Sequence, residues 1–308
     1  MFRIIPDTNI DFIGKRKYAF VLSAILIAVG ILAFAMISVG KGNLGIDFAG
    51  GVMLQGHFEN SMTIYDLRGG LMAQFPDAQV TEIKDFEEPN AFIIKVKAPE
   101  VEGEGQAKAN AIMSLLETNF PDNKFVKDSE HIIGPAVGET LRKDARLAII
   151  ISLIGILAYI AVRFDFRSGV AATVATFHDV LAVLGITYFL GLEFDLLIVT
   201  ALLTLAGYSL TDTVVVYDRI RENLKKFRSR GEFVAAINKS INEVLSRTFN
   251  TSITVLVVVI ILFLFGGEVL RNFSLSLILG VIIGTYSSVF VASPIVVEWE
   301  ARRPKRFK

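Results

Sequence analysis

Asp212 is the residue whose position most strongly suggests chemistry. It lies in the run Gly207-Tyr208-Ser209-Leu210-Thr211-Asp212-Thr213, inside an apolar stretch and about one turn before that stretch ends. Tyr208 and Ser209 share its face by helical spacing. A carboxylate within a bilayer is costly unless it is paired or protonated, and such acids are usually functional. The pattern indicates exchange of H⁺ or Na⁺ at Asp212; the alternative is a helix end where the carboxylate simply reaches water.

Arg247 is the natural counter-charge for this acid. Arg247, Asn250, Thr251 and Thr254 recur at i, i+3, i+4 and i+7, which predicts one polar stripe facing protein or water rather than lipid. If the two helices face each other, Arg247 and Asp212 could form a salt bridge that opens when the acid is protonated. The alternative is an arginine that extends to the lipid headgroups.

Two further polar features lie within apolar runs. His178 and Asp179 stand near the middle of one run; a proton relay and a locally paired structural His–Asp are equally compatible with them, and they indicate no metal site. Gly280 and Gly284 form a GxxxG pattern, which is typical of close helix packing. No HExxH, GxSxG or phosphate-binding glycine loop with lysine occurs, so the sequence indicates no enzyme.

Composition defines the class of protein that must hold these residues. Hydrophobic residues make up 53% of the chain and the mean hydropathy is +0.54, values typical of a polytopic membrane protein. The formal net charge is zero, which argues against a strongly basic nucleic-acid-binding protein. Cysteine is absent, so disulfides, thiolate catalysis and Cys-ligated metals are excluded.

The apolar runs predict transmembrane helices, because a span needs about 20 mostly apolar residues. The predicted spans are residues 18–39, 147–162, 169–190, 196–216, 246–265 and 273–292. The second span is short, but Arg146 and Arg163 flank it and can reach the interfaces. The fifth contains only a short purely apolar run, so it must begin near Ser246, which draws Arg247 to the membrane boundary or inside it.

Basic residues in the short connections predict orientation, since they favour the cytoplasmic side. They are Lys15, Arg16 and Lys17; Arg163 and Arg167; Arg219, Arg221, Lys225, Lys226, Arg228 and Arg230; and Arg302, Arg303, Lys305, Arg306 and Lys308. Both termini are therefore predicted to be cytoplasmic. The first span is long for a signal peptide and lacks a plain cleavage site, which favours a retained anchor.

One long loop must fold outside the membrane. The predicted elements are strand 52–58, helix 63–75, strands 79–84 and 91–97, helix 104–120 and strand 124–133, an order that suits a ferredoxin-like α+β module. The predicted organisation is a cytoplasmic N-terminus (1–17), helix one (18–39), a periplasmic domain (40–144), a five-helix bundle (145–297) with a cytoplasmic segment near 217–245, and a basic tail (298–308). Residues 237–242 form an amphipathic run compatible with partner docking.

Several motifs together resemble the SecF family of bacterial protein-export subunits, within the resistance-nodulation-division superfamily. They include Gly45-Ile46-Asp47-Phe48-Ala49-Gly50-Gly51, His178-Asp179, Gly207-Tyr208-Ser209 with Asp212-Thr213, Asp218-Arg219-Ile220-Arg221-Glu222-Asn223, Ser246-Arg247-Thr248 and Gly284-Thr285-Tyr286-Ser287-Ser288. The resemblance runs from residue 45 to 294. The chain departs from it at Thr211, where the family usually has Asn, and this changes the hydrogen bonding expected beside Asp212.

The resemblance implies a function and partners. It implies a subunit that pairs with SecD and promotes late steps of export of a translocating polypeptide through the SecYEG channel, alongside other Sec accessory membrane proteins. The driving force would be a proton or sodium gradient, with Asp212 and Arg247 in the ion pathway and Thr211 and Thr213 beside it. No cofactor other than H⁺ or Na⁺ and no nucleic acid is expected.

Two alternatives stay open. One is an exporter of small molecules or lipids from the same superfamily, although such pumps usually have two six-helix halves in one chain. The other is a structural subunit that conducts no ion and uses its polar residues only to hold helices together.

Overall fold

The computed structural model describes residues 8–83, 90–97, 104–226 and 232–303. Several predicted features lie outside the described residues: Lys84 at the end of the second predicted strand, the basic residues Arg228 and Arg230, and residues 304–308 of the basic tail with Lys305, Arg306 and Lys308.

The described residues form ten α-helices and four strands. The helices are α1 (Arg16–Met36), α2 (Ile46–Ala49), α3 (Ile64–Met72), α4 (Glu104–Asn119), α5 (Pro135–Arg163), α6 (Phe166–Phe189), α7 (Leu196–Leu224), α8 (Phe233–Phe265), α9 (Gly267–Ser287) and α10 (Ser293–Arg302). The strands are β1 (Gly51–Phe58), β2 (Gln79–Ile83), β3 (Ala91–Lys97) and β4 (Phe125–Ile133). Short π-helical turns, Ile37–Lys41 and Ser288–Ala292, extend α1 and join α9 to α10.

Six helical segments of the described chain are long and apolar enough to cross a membrane, which confirms the predicted number. Two of them begin well before their predicted starts. The segment α5 begins at Pro135 rather than residue 147, with proline at its first turn, where a missing N–H costs nothing. The segment α8 begins at Phe233 rather than residue 246, because a polar amphipathic stretch precedes the apolar run and is continuous with it in one helix.

The bundle has a buried centre and an exposed shell. Most of the apolar window of α6, α7 and the α9–α10 segment is buried, whereas α1, α5 and α8 are largely exposed. Helix α1 approaches α6 closely at Gly30, where an added Cβ would lie 2.3 Å from the Leu181 carbonyl oxygen. Close backbone approach through small residues is the usual packing mode of membrane helices. The sequence predicts close packing at Gly280 and Gly284 and along the small residues of α6; Gly30 was not predicted to take part.

The outer domain is the predicted ferredoxin-like module. Its single sheet is antiparallel with the order β2-β3-β1-β4. Alternate strand residues such as Val52, Leu54 and Ile94 face α3 and α4, whose Leu67 and Ile112 complete the core. The module is joined to α1 by residues 42–50 and to α5 by Gly134.

The N-terminal segment before α1 is bound by α8. Asn238 Oδ1 accepts hydrogen bonds of 3.0 Å from the backbone N–H groups of Phe12 and Ile13, and Asn242 does the same at 2.9 Å for Ile10. Phe12 and Ile13 are buried in the core of the bundle. The amphipathic run 237–242 therefore contacts the chain's own N-terminal segment in this structure.

Candidate functional site

Asp212 lies in the buried centre of the bundle, in the half of α7 remote from the outer domain, and the residue is 4% exposed. Its Oδ2 has a long contact of 3.5 Å with Ser252 Oγ on α8. Ser252 Oγ in turn lies 2.6 Å from Thr285 Oγ1 on α9 and accepts a 3.1 Å hydrogen bond from the Tyr208 hydroxyl. Hydroxyl groups can donate or accept, so this surrounding can accommodate both the charged and the protonated carboxyl group.

Arg247 forms no ion pair with Asp212 or with any other residue in the part of the chain that the structure describes. Helices α7 and α8 pack side by side, which was the condition set for a salt bridge. However, Arg247 lies on the exposed side of α8, whereas Thr248 and Ser252 face the bundle. The bridge considered from the sequence is therefore not formed in this conformation.

The predicted polar stripe on α8 has two parts in the structure. Arg247, Thr251 and Thr254 are exposed, and the side-chain oxygen of Asn250 is buried without a hydrogen-bond partner among the described residues. The sequence spacing identified residues on one helical face, but it did not identify which face of α8 meets α7. Ser252, the residue that contacts Asp212, was missed; a small polar residue one turn after Thr248 in an apolar run was its signal.

The threonines beside Asp212 bind their own helix. Thr211 is exposed and donates a 3.0 Å hydrogen bond to the Gly207 carbonyl, while Thr213 is buried and donates to the Ser209 carbonyl at 3.2 Å. An added Cβ on Gly207 would meet no atom within 4 Å, so packing does not explain this glycine. Both threonines are adjacent to Asp212 in sequence. Among the described hydrogen bonds, neither of their hydroxyls bonds to the Asp212 carboxyl group.

His178 and Asp179 belong to a second, separate polar cluster. His178 Nδ1 lies 2.7 Å from Asp179 Oδ1, while Asp179 Oδ2 accepts hydrogen bonds from Ser209 on α7 and from Ser287 on α9, the latter at 2.6 Å. All four side chains are buried. His178 Nε2 is buried without a partner among the described residues. The Nδ1 contact favours the tautomer with its proton on Nδ1, which leaves Nε2 a bare acceptor.

Gly280 and Gly284 lie where α9 crosses α7. An added Cβ on Gly284 would stand 3.2 Å from Ser209 Cβ, and one on Gly280 would stand 2.6 Å from Leu205 Cδ1. The glycines therefore allow α9 to approach α7 closely enough for Ser287 and Ser209 to reach the same carboxylate.

The motif of residues 45–51 contacts the opposite end of α7. The Gly45 N–H donates a 2.7 Å hydrogen bond to the Phe194 carbonyl in the turn between α6 and α7. Asp47 Oδ2 accepts one of 3.1 Å from the Leu196 N–H at the start of α7. Gly50 has φ +77°, a conformation that favours glycine, and Gly51 begins β1. This motif attaches the outer domain to α7, at the helix end remote from Asp212.

The same end of α7 carries a partly buried acid just outside the membrane segment. Asp195 Oδ1 accepts a 2.9 Å hydrogen bond from the Ile198 N–H and so caps the helix. Burial raises the pKa of Asp195 above its usual value, and the neighbouring acids Asp47 and Glu193 act in the same direction, while the cap and Lys95 oppose the shift.

No group of three or more His, Asp or Glu side chains suited to a metal ion occurs in residues 8–83, 90–97, 104–226 and 232–303. The site around Asp212 is a single carboxyl group with the hydroxyls of Tyr208, Ser252 and Thr285 nearby, on three helices, a setting chemically compatible with a small ion.

Comparison with known proteins gives the family. Residues 112–302 match the family model described as protein export membrane protein SecD/SecF, C-terminal. The protein translocase subunit SecF of Thermodesulfovibrio yellowstonii is 48% identical over 300 residues, covering 96% of this chain and 97% of the relative. The SecF subunit of Vibrio alginolyticus is 39% identical, covering 97% of this chain and 92% of the relative.

A solved structure has the same fold. The crystal structure of SecDF from Thermus thermophilus, a translocon-associated membrane protein, matches with a TM-score of 0.78 and 36% identity over 98% of this chain. The chain spans 40% of the length of that SecDF chain. A SecDF structure in a super-membrane-facing form matches at TM-score 0.68, again with 36% identity. The family model, the near-complete relatives and the shared fold agree, and the chain therefore belongs to the SecF family of protein translocase subunits.

Proposed function

We propose that this chain is a subunit of the SecDF accessory complex that uses a proton or sodium gradient to promote late stages of protein export across the inner membrane. The observation that supports the proposal is the setting of Asp212. The carboxyl group is buried, its closest described partner is a hydroxyl at 3.5 Å, and no described cation pairs with it. A buried acid with weak fixed partners can exchange an ion without breaking a strong interaction.

The partners follow from the family. The matched SecDF chain is much longer than this one, which supports SecD as the companion subunit. The exposed face of α8, with Arg247, Thr251 and Thr254, supplies polar groups that a second membrane subunit or water must solvate. The SecYEG channel, the translocating polypeptide and other Sec accessory membrane proteins complete the proposed assembly. The chain is a multi-pass inner-membrane subunit with both termini cytoplasmic, and its role is not enzymatic.

A purely structural role is the second candidate. The cluster of His178, Asp179, Ser209 and Ser287 favours it, because three helices are tied to one fully hydrogen-bonded carboxylate. Such a cluster holds helices together and moves no ion.

The test is secretion of a reporter in cells depleted of the native protein. Wild type, Asp212→Asn and Asp144→Asn are compared at equal membrane abundance, with and without an uncoupler; Asp144 is an exposed acid on α5 and serves as the matched control. We expect wild type and Asp144→Asn to restore secretion over cells without a copy, and the uncoupler to remove that advantage. Asp212→Asn should insert but fail to restore secretion. Equal rescue by Asp212→Asn would favour the structural role.

A further inference from the structure

The outer domain contacts the turn between α6 and α7 through Lys95, a basic residue of β3. Phe92, Ile94 and Val96 face the core of the domain, so the alternating positions Lys95 and Lys97 project from the opposite face of the sheet. Lys95 Nζ lies 2.8 Å from Glu193 Oε2 in the turn, and Lys97 Nζ donates a 3.2 Å hydrogen bond to Asn43 Oδ1. The ion pair joins two parts of the molecule that are far apart in sequence.

Glu193 is an unusual partner because it is buried. Its side chain is 8% exposed, and that of Lys95 is 27% exposed. Its second oxygen, Oε1, has no hydrogen-bond partner among the described residues. A buried carboxylate with one oxygen unsatisfied is strongly destabilised if its single cation leaves. Glu193 therefore holds Lys95, and with it β3, in a defined position over the turn.

The turn itself is fixed to the start of α7. Phe194 exchanges backbone hydrogen bonds of 2.7 Å with Gly45 and Asn43. Asp47 accepts from the Leu196 N–H and Asp195 caps the helix at Ile198. A movement of the outer end of α7 must therefore move Glu193 with it.

Helix α7 also carries Asp212, on the same continuous helix of 29 residues. Beside the ion pair, a cavity of about 700 Å³ separates the open face of the sheet from the membrane helices; Lys95, Glu193, Asp195 and Glu268 are among its lining residues. The cavity leaves the domain room to tilt, and the Lys95–Glu193 ion pair lies at the edge of the cavity.

We infer that Lys95 and Glu193 form a latch that sets the orientation of the outer domain according to the position of α7. The inference rests on the proposed function and adds to it that the state of Asp212 changes the position of that helix. Lys95 and Glu193 are positioning residues: they bind no ion and no polypeptide in this scheme, and they act through α7 and the sheet.

The latch is tested by distance measurement on the full chain in lipid nanodiscs. The chain contains no cysteine, so Asp122→Cys on the outer domain and Leu190→Cys at the outer end of α6, both exposed, give a single spin-label pair without further substitutions. We expect a narrow distance distribution in the otherwise wild-type chain. Lys95→Ala and Glu193→Gln should each broaden it, because β3 loses its ion pair with the turn while the 45–51 motif still attaches the domain.

Three controls separate a latch from general damage. Lys95→Arg keeps the charge and should keep the narrow distribution. Lys97→Ala removes only a hydrogen bond to a neutral amide and should also keep it. The double exchange Lys95→Glu with Glu193→Lys should restore the narrow distribution that either single change loses. Unchanged distances in Lys95→Ala and Glu193→Gln, or no recovery in the double exchange, would overturn the latch.

The secretion assay then distinguishes the latch from the proposed function. Lys95→Ala should lose secretion to the level of Asp212→Asn, and the double exchange should recover it. If Lys95→Ala broadens the distances but secretes like wild type, the latch does not serve export and the inference is wrong. If wild type itself restores no secretion, the proposed function fails, while the distance results still decide whether the ion pair orients the domain.

Discussion

Asp179 and Asp212 are both buried acids in the membrane bundle, and they differ in how their oxygens are satisfied. Asp179 contacts His178, Ser209 and Ser287, with donors from three helices. Asp212 has a long contact of 3.5 Å with Ser252, and the Thr251 hydroxyl also interacts with its carboxyl group. Three donors hold the Asp179 carboxyl group in one geometry, whereas weak hydroxyl contacts leave the Asp212 carboxyl group able to rearrange at little structural cost. Burial alone therefore does not identify the acid that exchanges an ion.

The two clusters share their helices. Ser209 and Asp212 lie about one turn apart on α7, and α9 supplies Ser287 to one cluster and Thr285 to the other. The Asp179 cluster thus holds α7 against α6 and α9 next to the site where Asp212 is loosely held. We interpret the Asp179 cluster as a fixed support that holds the helices together, and the Asp212 cluster as the site that exchanges an ion.

The largest expected effect is on stability at Asp179. Asp179→Ala removes the acceptor of three buried donors and should lower the free energy of unfolding by about 2 kcal/mol. Asp212→Ala removes only weak contacts with the hydroxyls of Ser252 and Thr251 and should change the free energy of unfolding by less than about 1 kcal/mol. Unfolding of both variants in detergent micelles measures the difference. If both variants are destabilised equally, Asp179 supports the bundle no more than Asp212 does, and the two acids cannot be assigned different roles.

Ser252 is expected to have the next largest effect. Ser252→Ala removes the hydroxyl that joins Tyr208, Thr285 and Asp212, and should cost about 1 kcal/mol and reduce uncoupler-sensitive secretion. Ser276→Ala is the matched control, since this buried serine donates only to the Asn272 carbonyl of its own helix. Normal secretion in Ser252→Ala would show that Asp212 needs no hydroxyl partner.

A substitution at Gly284 tests the role of the Asp179 cluster without removing any of its hydrogen-bonding side chains. Its added Cβ would press on Ser209 at 3.2 Å, so Gly284→Ala should destabilise the chain by about 1 kcal/mol through the Asp179 cluster. Gly155→Ala is the control, because a Cβ there meets nothing within 4 Å, and alanine favours the helix by up to about 1 kcal/mol. A thermal shift in detergent should move in opposite directions for the two variants.

The sequence predicted the elements better than their contacts. Hydrophobic length predicted six membrane helices, and alternation predicted the four-stranded module, because both depend on local periodicity. The same periodicity placed Asp212 within a helix, where it is buried, but α7 continues to Leu224 rather than ending near residue 216. Which face of α8 meets α7 did not follow, since Arg247 and Ser252 lie on different faces of one helix and helix order is not a local property. The support formed by Ser209 and Ser287 likewise depends on a crossing of α9 with α7 that joins distant segments.

The smallest expected effect concerns a third acid, Asp195, which lies outside the membrane segment and extends the comparison to the outer end of α7. Burial, with Asp47 and Glu193 nearby, raises the pKa of Asp195, so the folded chain binds this proton more tightly than the unfolded chain does. The contribution of Asp195 to stability should therefore increase as pH falls from above the raised folded-state pKa towards the lower unfolded-state value, and decrease as pH rises. Asp195→Asn retains a capping side chain for Ile198 and should flatten this part of the pH profile of thermal unfolding. An unchanged profile would mean that the cap at Ile198 and the charge of Lys95 offset the burial of Asp195 completely.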